Sequence, residues 1–234
     1  MTNFILELPS YLNRRIKTKK TSFSLTGIDL VIDYIFKKKN GFYIDVGCNH
    51  PVYNNNTFLL HKKGWKGVNI DIDLKSIELF NIFRKEDFNI NVAASSKEGV
   101  LEYINFHEKS PINKIKDDYV KSAVPFREIK KINSLTLDSI IENSPFKDKK
   151  IDFISIDVEG HELEVIKGLN LQKYKPSIIV IEYLDTSLKK IEIKNFNLQN
   201  IIDSKINKFM VNNGYNLVNC LHSDLIYAHN SFKD

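Results

Sequence analysis

The chain has 234 residues, 42% of them hydrophobic and 11% aromatic, enough apolar material for the core of one large domain. Its net charge is +5 and is spread along the sequence, so we expect no nucleic-acid partner. Cys48 and Cys220 are too few and too isolated for a disulfide framework or a zinc cluster. No stretch approaches the ~20 apolar residues of a membrane span, and the N-terminus lacks the features of an export signal. These patterns predict a cytoplasmic protein with no membrane span.

The first half of the chain alternates short apolar runs with amphipathic stretches, which is typical of a parallel sheet covered on both faces. It predicts helices at 27–38, 56–63 and 74–86. Each helix is followed by a predicted strand, at 42–46, 67–71 and 88–94 respectively.

The second half begins less regularly, with an alternating segment at 100–106 that predicts an exposed antiparallel strand and a long loop at 107–126. A helix follows at 133–143, with Ser134 or Thr136 as its cap. The remaining pattern predicts a strand at 151–157, a helix at 161–168 and a strand at 177–183. A long helix at 198–213 and a terminal hairpin at 215–229 complete the chain.

These elements predict an α/β fold with six or seven mostly parallel strands and a C-terminal antiparallel hairpin. We expect residues 1–26 to form an N-terminal segment that packs on or flanks the core, and residues 27–234 to form a single domain. The basic run RRIKTKK at 14–20 contains no aromatic residue for stacking bases. We interpret it as a solvated surface segment, with a contact for phosphate or an acidic glycan as the alternative.

In open parallel sheets, ligands bind beyond the carboxyl ends of the strands. Of the five predicted strands that end there, four end in an acidic residue. The turn after the first strand, GFYIDVGCNHP, has one glycine where a dinucleotide loop has three, and no GxxxxGK[ST] occurs. A nucleoside without phosphates suits this row of acids better, and S-adenosylmethionine is one. Asp71 stands 26 residues after Asp45, close to the ~20-residue interval at which a second-strand acid binds a ribose. Capping of the next helix by Asp71 and Asp73 is the alternative.

The order GFYIDVGCNHP, NNNTFLLHKKGWKGVNIDID, NVAASSKEG, IDFISIDVEGHELEVIKGL and KPSIIVIE resembles the FkbM family of S-adenosylmethionine-dependent methyltransferases. The resemblance covers roughly residues 22–185. It implies a Rossmann-like class I methyltransferase fold, with a seven-stranded sheet whose last strand is antiparallel.

The resemblance also implies cofactor-binding residues. Asp45, Gly47 and Asn49 match the first cofactor motif, Asp71 matches an acid that binds ribose, and residues 91–95, with Ala93 among them, match the stretch beside adenine. Asp157 is a further cofactor candidate. The chain departs from the family pattern at three positions. It has Cys48 where relatives have Ala, Pro51 where they have Gly, and Ile28 where they have an acid.

The acceptor should meet the methyl group beside the motif DVEGHE. His161 is our first candidate for the base that removes the acceptor proton, and Glu159 and Asp157 are the alternatives. Each also has a structural explanation, since acids and polar residues are common where a helix begins. Asp157 and Glu182 end neighbouring strands and could share a divalent metal, but we predict none.

The leading functional hypothesis is O-methylation of a sugar, a glycan precursor or another hydroxylated metabolite, an acceptor class that rests on analogy with the family. The alternative is a non-catalytic, cofactor-binding partner subunit in a glycan-synthesis complex, against which the complete row of strand-end acids argues. A nicotinamide-dependent oxidoreductase is disfavoured by the missing glycines. Nothing in the sequence predicts an oligomeric state.

Overall fold

The computed structural model describes residues 20–116, 125–183 and 198–232. The helices in these ranges are α1 (Ile28–Phe36), α2 (Phe58–Lys62), α3 (Leu74–Phe83), α4 (Leu137–Glu142), α5 (Glu162–Lys167), α6 (Leu171–Tyr174), α7 (Leu198–Asp203) and α8 (Lys205–Asn212). The strands are β1 (Phe42–Val46), β2 (Lys66–Asp71), β3 (Phe88–Asn91), β4 (Ala93–Ala94), β5 (Gly99–Asn105), β6 (Lys114–Ile115), β7 (Glu128–Leu135), β8 (Phe153–Ile156), β9 (Ile178–Glu182), β10 (Tyr215–Leu221) and β11 (Asp224–His229).

Seven strands form one sheet in the order β10-β11-β9-β8-β1-β2-β3. The pairs that join β3, β2, β1, β8 and β9 are all parallel, while β11 is antiparallel to both β9 and β10. The chain moves outward from β1 to β3 and then returns to place β8 on the other side of β1. The strand order therefore reverses between β1 and β8, which is where ligands bind in open α/β sheets. The predicted mostly parallel sheet with a C-terminal hairpin is confirmed.

Alternate residues of the central strands enter two separate cores, because successive side chains of a strand point to opposite faces. Ile44 and Ile154 belong to the larger core, whereas Tyr43 and Phe153 belong to the smaller one on the other face. All four side chains are fully buried. Burial on both faces explains why these strands read as continuous apolar runs.

A second sheet of four strands, in the order β4-β7-β5-β6, corrects part of the predicted structure. The strand expected at 88–94 divides at Val92, whose N–H donates to the Asp71 carbonyl, and Ala93 and Ala94 pair with β7 instead. The helix expected at 133–143 begins only after Thr136, whose side chain accepts from the Ser139 N–H. The preceding residues are extended, because they pair with β5 over its whole length.

Three other predicted elements differ from the structure. The long loop at 107–126 contains the short strand β6, and its residues 117–124 lie outside the described ranges. The helix expected at 74–86 ends at Phe83. The helix expected at 198–213 is two helices, because the Ser204 side chain caps α8 by accepting from the Asn207 N–H. Gly214, with φ of +85°, follows α8 in the left-handed conformation that its sequence predicted.

No helix within the described ranges is long and apolar enough to cross a membrane. The residues just before α1 are attached to it, since the Asp29 carboxylate accepts from the Ser22 hydroxyl and from the Phe23 N–H. Of the basic run at 14–20, the structure describes only Lys20, and the division of the chain at residue 26 stays a prediction.

Candidate functional site

Two turns meet where the strand order reverses: the β1 turn (residues 47–51) and the β8 turn (residues 157–161). Gly47, with φ of +78°, lies directly against the backbone of Asp157. A Cβ atom on Gly47 would stand 1.7 Å from the Asp157 carbonyl oxygen, so the two turns are in contact where no larger residue fits.

The β1 turn is attached to the end of β2. The N–H groups of Gly47 and Cys48 both donate to the Ile70 carbonyl, at 2.9 and 3.2 Å. Asn49 adopts a left-handed conformation, with φ of +46°, and its N–H donates to the Asp71 carboxylate at 2.8 Å. The turn therefore presents Asn49 and Asp71 side by side.

The Asp71 carboxylate is buried at the end of β2. Its second oxygen accepts from the Asp73 N–H at 2.7 Å. Burial raises the pKa of Asp71 to about 7, although the backbone N–H groups of Asp73 and Asn49 oppose that rise. An ionised carboxylate has about four acceptor positions, so two backbone donors leave capacity for a ligand hydroxyl.

Asp45, a predicted cofactor residue, does not line the cavity described below. One of its carboxylate oxygens accepts from Asn55 Nδ2 at 3.0 Å and from Thr57 Oγ1 at 2.7 Å. Burial raises its pKa, and the positive charge of Arg84 opposes that rise. Asp45 thus holds the segment that follows the β1 turn.

Arg84, immediately after α3, is 1% exposed and anchors the same segment. Its guanidinium donates to the Pro51 carbonyl through Nε at 3.0 Å and through Nη2 at 2.5 Å. It also donates to Thr57 Oγ1 at 2.7 Å and to Asn55 Oδ1 at 2.6 Å. A proline suits this position, because the segment is held through the carbonyl oxygen that proline retains.

The β8 turn has unusual backbone conformations, with φ of +58° at Glu159 and +107° at Gly160. The buried Glu162 side chain stabilises them. Its Oε1 accepts from the Val158 N–H at 3.2 Å and from the Gly160 N–H at 2.8 Å. The second glutamate of DVEGHE is therefore a structural residue that shapes the turn.

His161 precedes α5 and contacts the segment after β4. Its Nε2 lies 3.0 Å from the Ser95 hydroxyl, and the Ser95 residue is buried. Desolvation lowers the pKa of His161 from its ordinary value of 6.5, while Glu164 opposes that change. The imidazole is consequently neutral at neutral pH and oriented by Ser95.

Three carboxylates cluster beside His161. Oxygens of Asp157, Glu159 and Glu182 all lie within 4.8 Å of one another, close enough to hold one metal ion with oxygen ligands. Desolvation of the carboxyl groups raises the pKa of Asp157 and of Glu182, and each pKa is raised further by a neighbouring acid. Glu182 Oε2 has no hydrogen-bond partner among the described residues.

Residues 106–115, which we call the covering loop, form the outer wall of the site. Asp73 fixes this loop, because its carboxylate accepts from the Lys109 N–H at 2.5 Å and from Asn113 Nδ2 at 3.3 Å. Ser110 is 3% exposed, and its hydroxyl has no hydrogen-bond partner in the part of the chain that the structure describes.

These walls enclose a narrow cavity. About 40 Å³ of it admits a water molecule, within about 510 Å³ of space that opens to solvent. The cavity is lined by residues of the β1 turn, the β2 end, the β4 region, the covering loop and the β8 turn, among them Gly47, Asn49, Asp71, Ala93, Ser110, Asn113, Asp157, Glu159 and His161.

The cavity therefore brings together every predicted site residue except Asp45. Sequence reasoning missed Ser110, Asn113, Glu162 and Arg84, and it placed Ser95 beside adenine without its contact to His161. Glu162 had a usable signal, because it stands in the first turn of a helix behind a glycine turn. Ser110 and Arg84 had none, since their roles depend on residues far away in the chain.

A family model described as "Methyltransferase FkbM domain" matches residues 45–217, most of the chain and all of the cavity. No curated protein matches the sequence.

Proposed function

Because the chain belongs to the FkbM methyltransferase family, we propose that it transfers a methyl group from S-adenosylmethionine to a hydroxyl oxygen. The acceptor is a sugar, a glycan precursor or another hydroxylated metabolite. The observation that carries this proposal is the single cavity that joins Gly47, Asp71 and the β8 turn at the reversal of strand order. The free cysteines Cys48 and Cys220 suit a cytoplasmic setting.

The donors and acceptors on the cavity wall fit an adenosyl group. Asp71 has acceptor capacity for ribose hydroxyls. The Ser110 hydroxyl, which has no partner among the described residues, can donate to or accept from the nucleoside. Ala93 and Val92 give an apolar surface beside them. The carboxylates of the β8 turn favour a positively charged group, so they would hold the sulfonium and amino group of the methionine end.

When bound, S-adenosylmethionine supplies an electrophilic methyl group on a sulfonium. The protein must hold the acceptor hydroxyl in line with that methyl group and remove its proton. His161 is neutral and lies in the cavity wall, so it takes the proton on Nδ1, in the tautomer whose Nε2–H donates to the Ser95 hydroxyl. Ser95 keeps the imidazole oriented through the bond to Nε2. Glu159 and Asp157 are the alternative bases, and their raised pKa values would also make them suitable proton acceptors near neutral pH.

Cofactor binding is the first test. S-adenosylhomocysteine should raise the melting temperature, whereas NAD and ATP should not, because the site has no phosphate cradle. Asp71→Ala should weaken S-adenosylhomocysteine by ~1 to 3 kcal/mol in calorimetry, since a charged acceptor is lost. Asp148→Ala, at an exposed position, is the control. No stabilisation of the wild type by S-adenosylhomocysteine would refute the cofactor assignment.

The base is the second test. His161→Gln should leave S-adenosylhomocysteine affinity unchanged and lower kcat by ~10² to 10⁴. Because the pKa of His161 is lowered, protonation of this imidazole should reduce wild-type activity only at pH values below the ordinary range of histidine. His229→Gln, in β11, should behave as the wild type. The same loss in Asp157→Asn or Glu159→Gln, without one in His161→Gln, would move the base to a carboxylate.

The carboxylate cluster makes metal dependence testable in the same assay. If activity survives EDTA, the methyl transfer needs no ion at Asp157, Glu159 and Glu182. Loss of activity with EDTA, and its return with Mg²⁺ but not in Glu182→Gln, would assign these residues as ligands. If the wild type binds S-adenosylhomocysteine yet methylates nothing in a broad screen of hydroxylated metabolites, the alternative of a non-catalytic partner subunit replaces catalysis.

A further inference from the structure

A second cleft lies at the end of the sheet opposite to the candidate site. Its volume is about 520 Å³, and it is lined by five lysines, one aspartate and one tyrosine: Lys20, Asp33, Tyr34, Lys37, Lys38, Lys39 and Lys63. Residues 37–39 lead into the amino end of β1, whereas the candidate site lies at its carboxyl end. The five residues of β1 separate the two by roughly 16 Å. We call this cleft the basic cleft.

Most of the positive charge in the basic cleft is unpaired. Lys38 forms an ion pair with Asp152 at 2.7 Å, and Lys63 pairs with Asp33. Across residues 20–116, 125–183 and 198–232, no carboxylate lies within ion-pair distance of the other three lysines of the cleft, Lys20, Lys37 and Lys39. All three side chains are exposed.

Helix ends account for only part of this charge. Lys37 caps α1 and Lys63 caps α2, so each lies at a C-terminus that carries about half a negative charge. Two such ends offset about one positive charge. The basic cleft therefore keeps an excess of positive charge that neither the helices nor its one aspartate neutralises.

Tyr34 brings two of the unpaired ammonium groups together. Its ring is 63% exposed, with Lys37 Nζ at 4.6 Å and Lys20 Nζ at 5.9 Å from the ring centroid. Attraction to the ring holds both cations near each other. Their mutual repulsion would be relieved by an anion bound between them.

We propose that the basic cleft binds a phosphate or diphosphate group. A lysine ammonium is a compact point charge that suits phosphate, and several converge here from three segments of the chain. A single exposed ring gives no row of aromatic side chains for stacked bases, so the cleft does not suit single-stranded nucleic acid. The proposal is independent of methyl transfer, because no residue of the basic cleft lines the candidate site.

Calorimetry with inorganic pyrophosphate tests the proposal. The wild type should bind pyrophosphate, and the combined variant Lys20→Gln, Lys37→Gln and Lys39→Gln should bind it at least roughly tenfold more weakly, because exposed charge pairs each contribute modestly. Added salt should weaken wild-type binding through screening. S-adenosylhomocysteine affinity should be equal in both proteins.

A control variant with the same change in net charge carries Lys85→Gln, Lys97→Gln and Lys149→Gln, all at exposed positions outside the cleft. It should bind pyrophosphate as the wild type does. Equal binding by the cleft variant and the wild type, or no binding by the wild type, would overturn the proposal. The proposal would also be overturned if duplex DNA bound the wild type more tightly than pyrophosphate does and lost that binding in the cleft variant.

Vesicles distinguish a lipid headgroup from a free phosphate. Sedimentation with phosphatidylglycerol vesicles, lost in the cleft variant and not seen with phosphatidylcholine alone, would identify a lipid phosphate as the ligand. Pyrophosphate binding without vesicle binding would identify a free phosphate or diphosphate.

Discussion

At the scale of single residues, two buried serines have the same unusual chemistry. Ser110 and Ser76 are 3% and 0% exposed, and neither hydroxyl has a hydrogen-bond partner among the described residues. A buried hydroxyl without a partner is unfavourable, and such groups mark places where a ligand or ordered water completes the bonding. Only Ser110 lines the cavity, so only Ser110 is available to a ligand there.

Replacing each serine by alanine separates these two situations. Ser110→Ala should weaken S-adenosylhomocysteine about fivefold to tenfold, the effect of one hydrogen bond, while Ser76→Ala should leave its affinity unchanged. The melting temperature without ligand should not fall in either variant, because each removes a buried hydroxyl that lacks a partner among the described residues. Methylthioadenosine, which keeps the nucleoside and lacks the amino acid, should lose affinity by the same factor in Ser110→Ala. A loss confined to S-adenosylhomocysteine would place the hydroxyl at the amino-acid end instead.

At the scale of elements, the end of α3 fixes the segment that follows β1. The α3 helix stops at Phe83, and the next residue, Arg84, turns inward to bind the Pro51 carbonyl and the side chains of Asn55 and Thr57. Those two side chains in turn donate to Asp45. One buried cation thereby connects a helix end, a turn and a central strand.

Arg84→Met should lower the free energy of unfolding by ~3 to 5 kcal/mol, because it leaves the Asp45 charge buried without a nearby cation. Urea denaturation measures this loss. Arg127→Met, at an exposed arginine 3.9 Å from Glu128, is the control and should change stability by less than about 0.5 kcal/mol. If both variants unfold at the same urea concentration, the buried network is not what stabilises this part of the fold.

At the scale of the whole molecule, buried acids collect at one end of the sheet and give the protein an unusual pH dependence. Asp71 has a pKa of about 7, and the pKa of Glu182 is raised by burial and by Asp157. Between their ordinary pKa values and these raised ones, the folded protein holds protons that the unfolded chain releases. The contribution of these acids to the free energy of unfolding is therefore complete at low pH and is lost as the pH rises.

Glu182→Gln should be more stable than the wild type at pH 8, by on the order of 1 to 3 kcal/mol, and similar to it at pH 5. His50 and His161, whose lowered pKa values act in the opposite direction, are the same in both proteins and cancel in the comparison. Urea unfolding at several pH values measures the difference. Glu98→Gln, at an exposed position, should follow the wild type throughout. A stability difference that does not change with pH would contradict the expectation.

The sequence predicted the elements whose burial follows a regular pattern. The central strands read as apolar runs because both faces of the sheet are covered. Asp71 could be placed because it follows the end of the first strand at close to the interval typical of a ribose-binding acid. The four-stranded sheet was missed because β4 and β7 are each too short or too exposed to show a period. Arg84 and Ser110 were missed because their partners and surroundings are set by tertiary contacts alone. The departure of Asp45 from the cavity has the same cause.

The contact between Gly47 and the Asp157 carbonyl limits how this protein can change over generations. Position 47 accepts one amino acid as long as β1 and β8 keep their register, which runs from Tyr43 opposite Phe153 to Val46 opposite Ile156. A side chain there would require the two strands to separate, and their ladder in the middle of the sheet opposes that. Position 47 therefore offers no single substitution through which a lineage could pass.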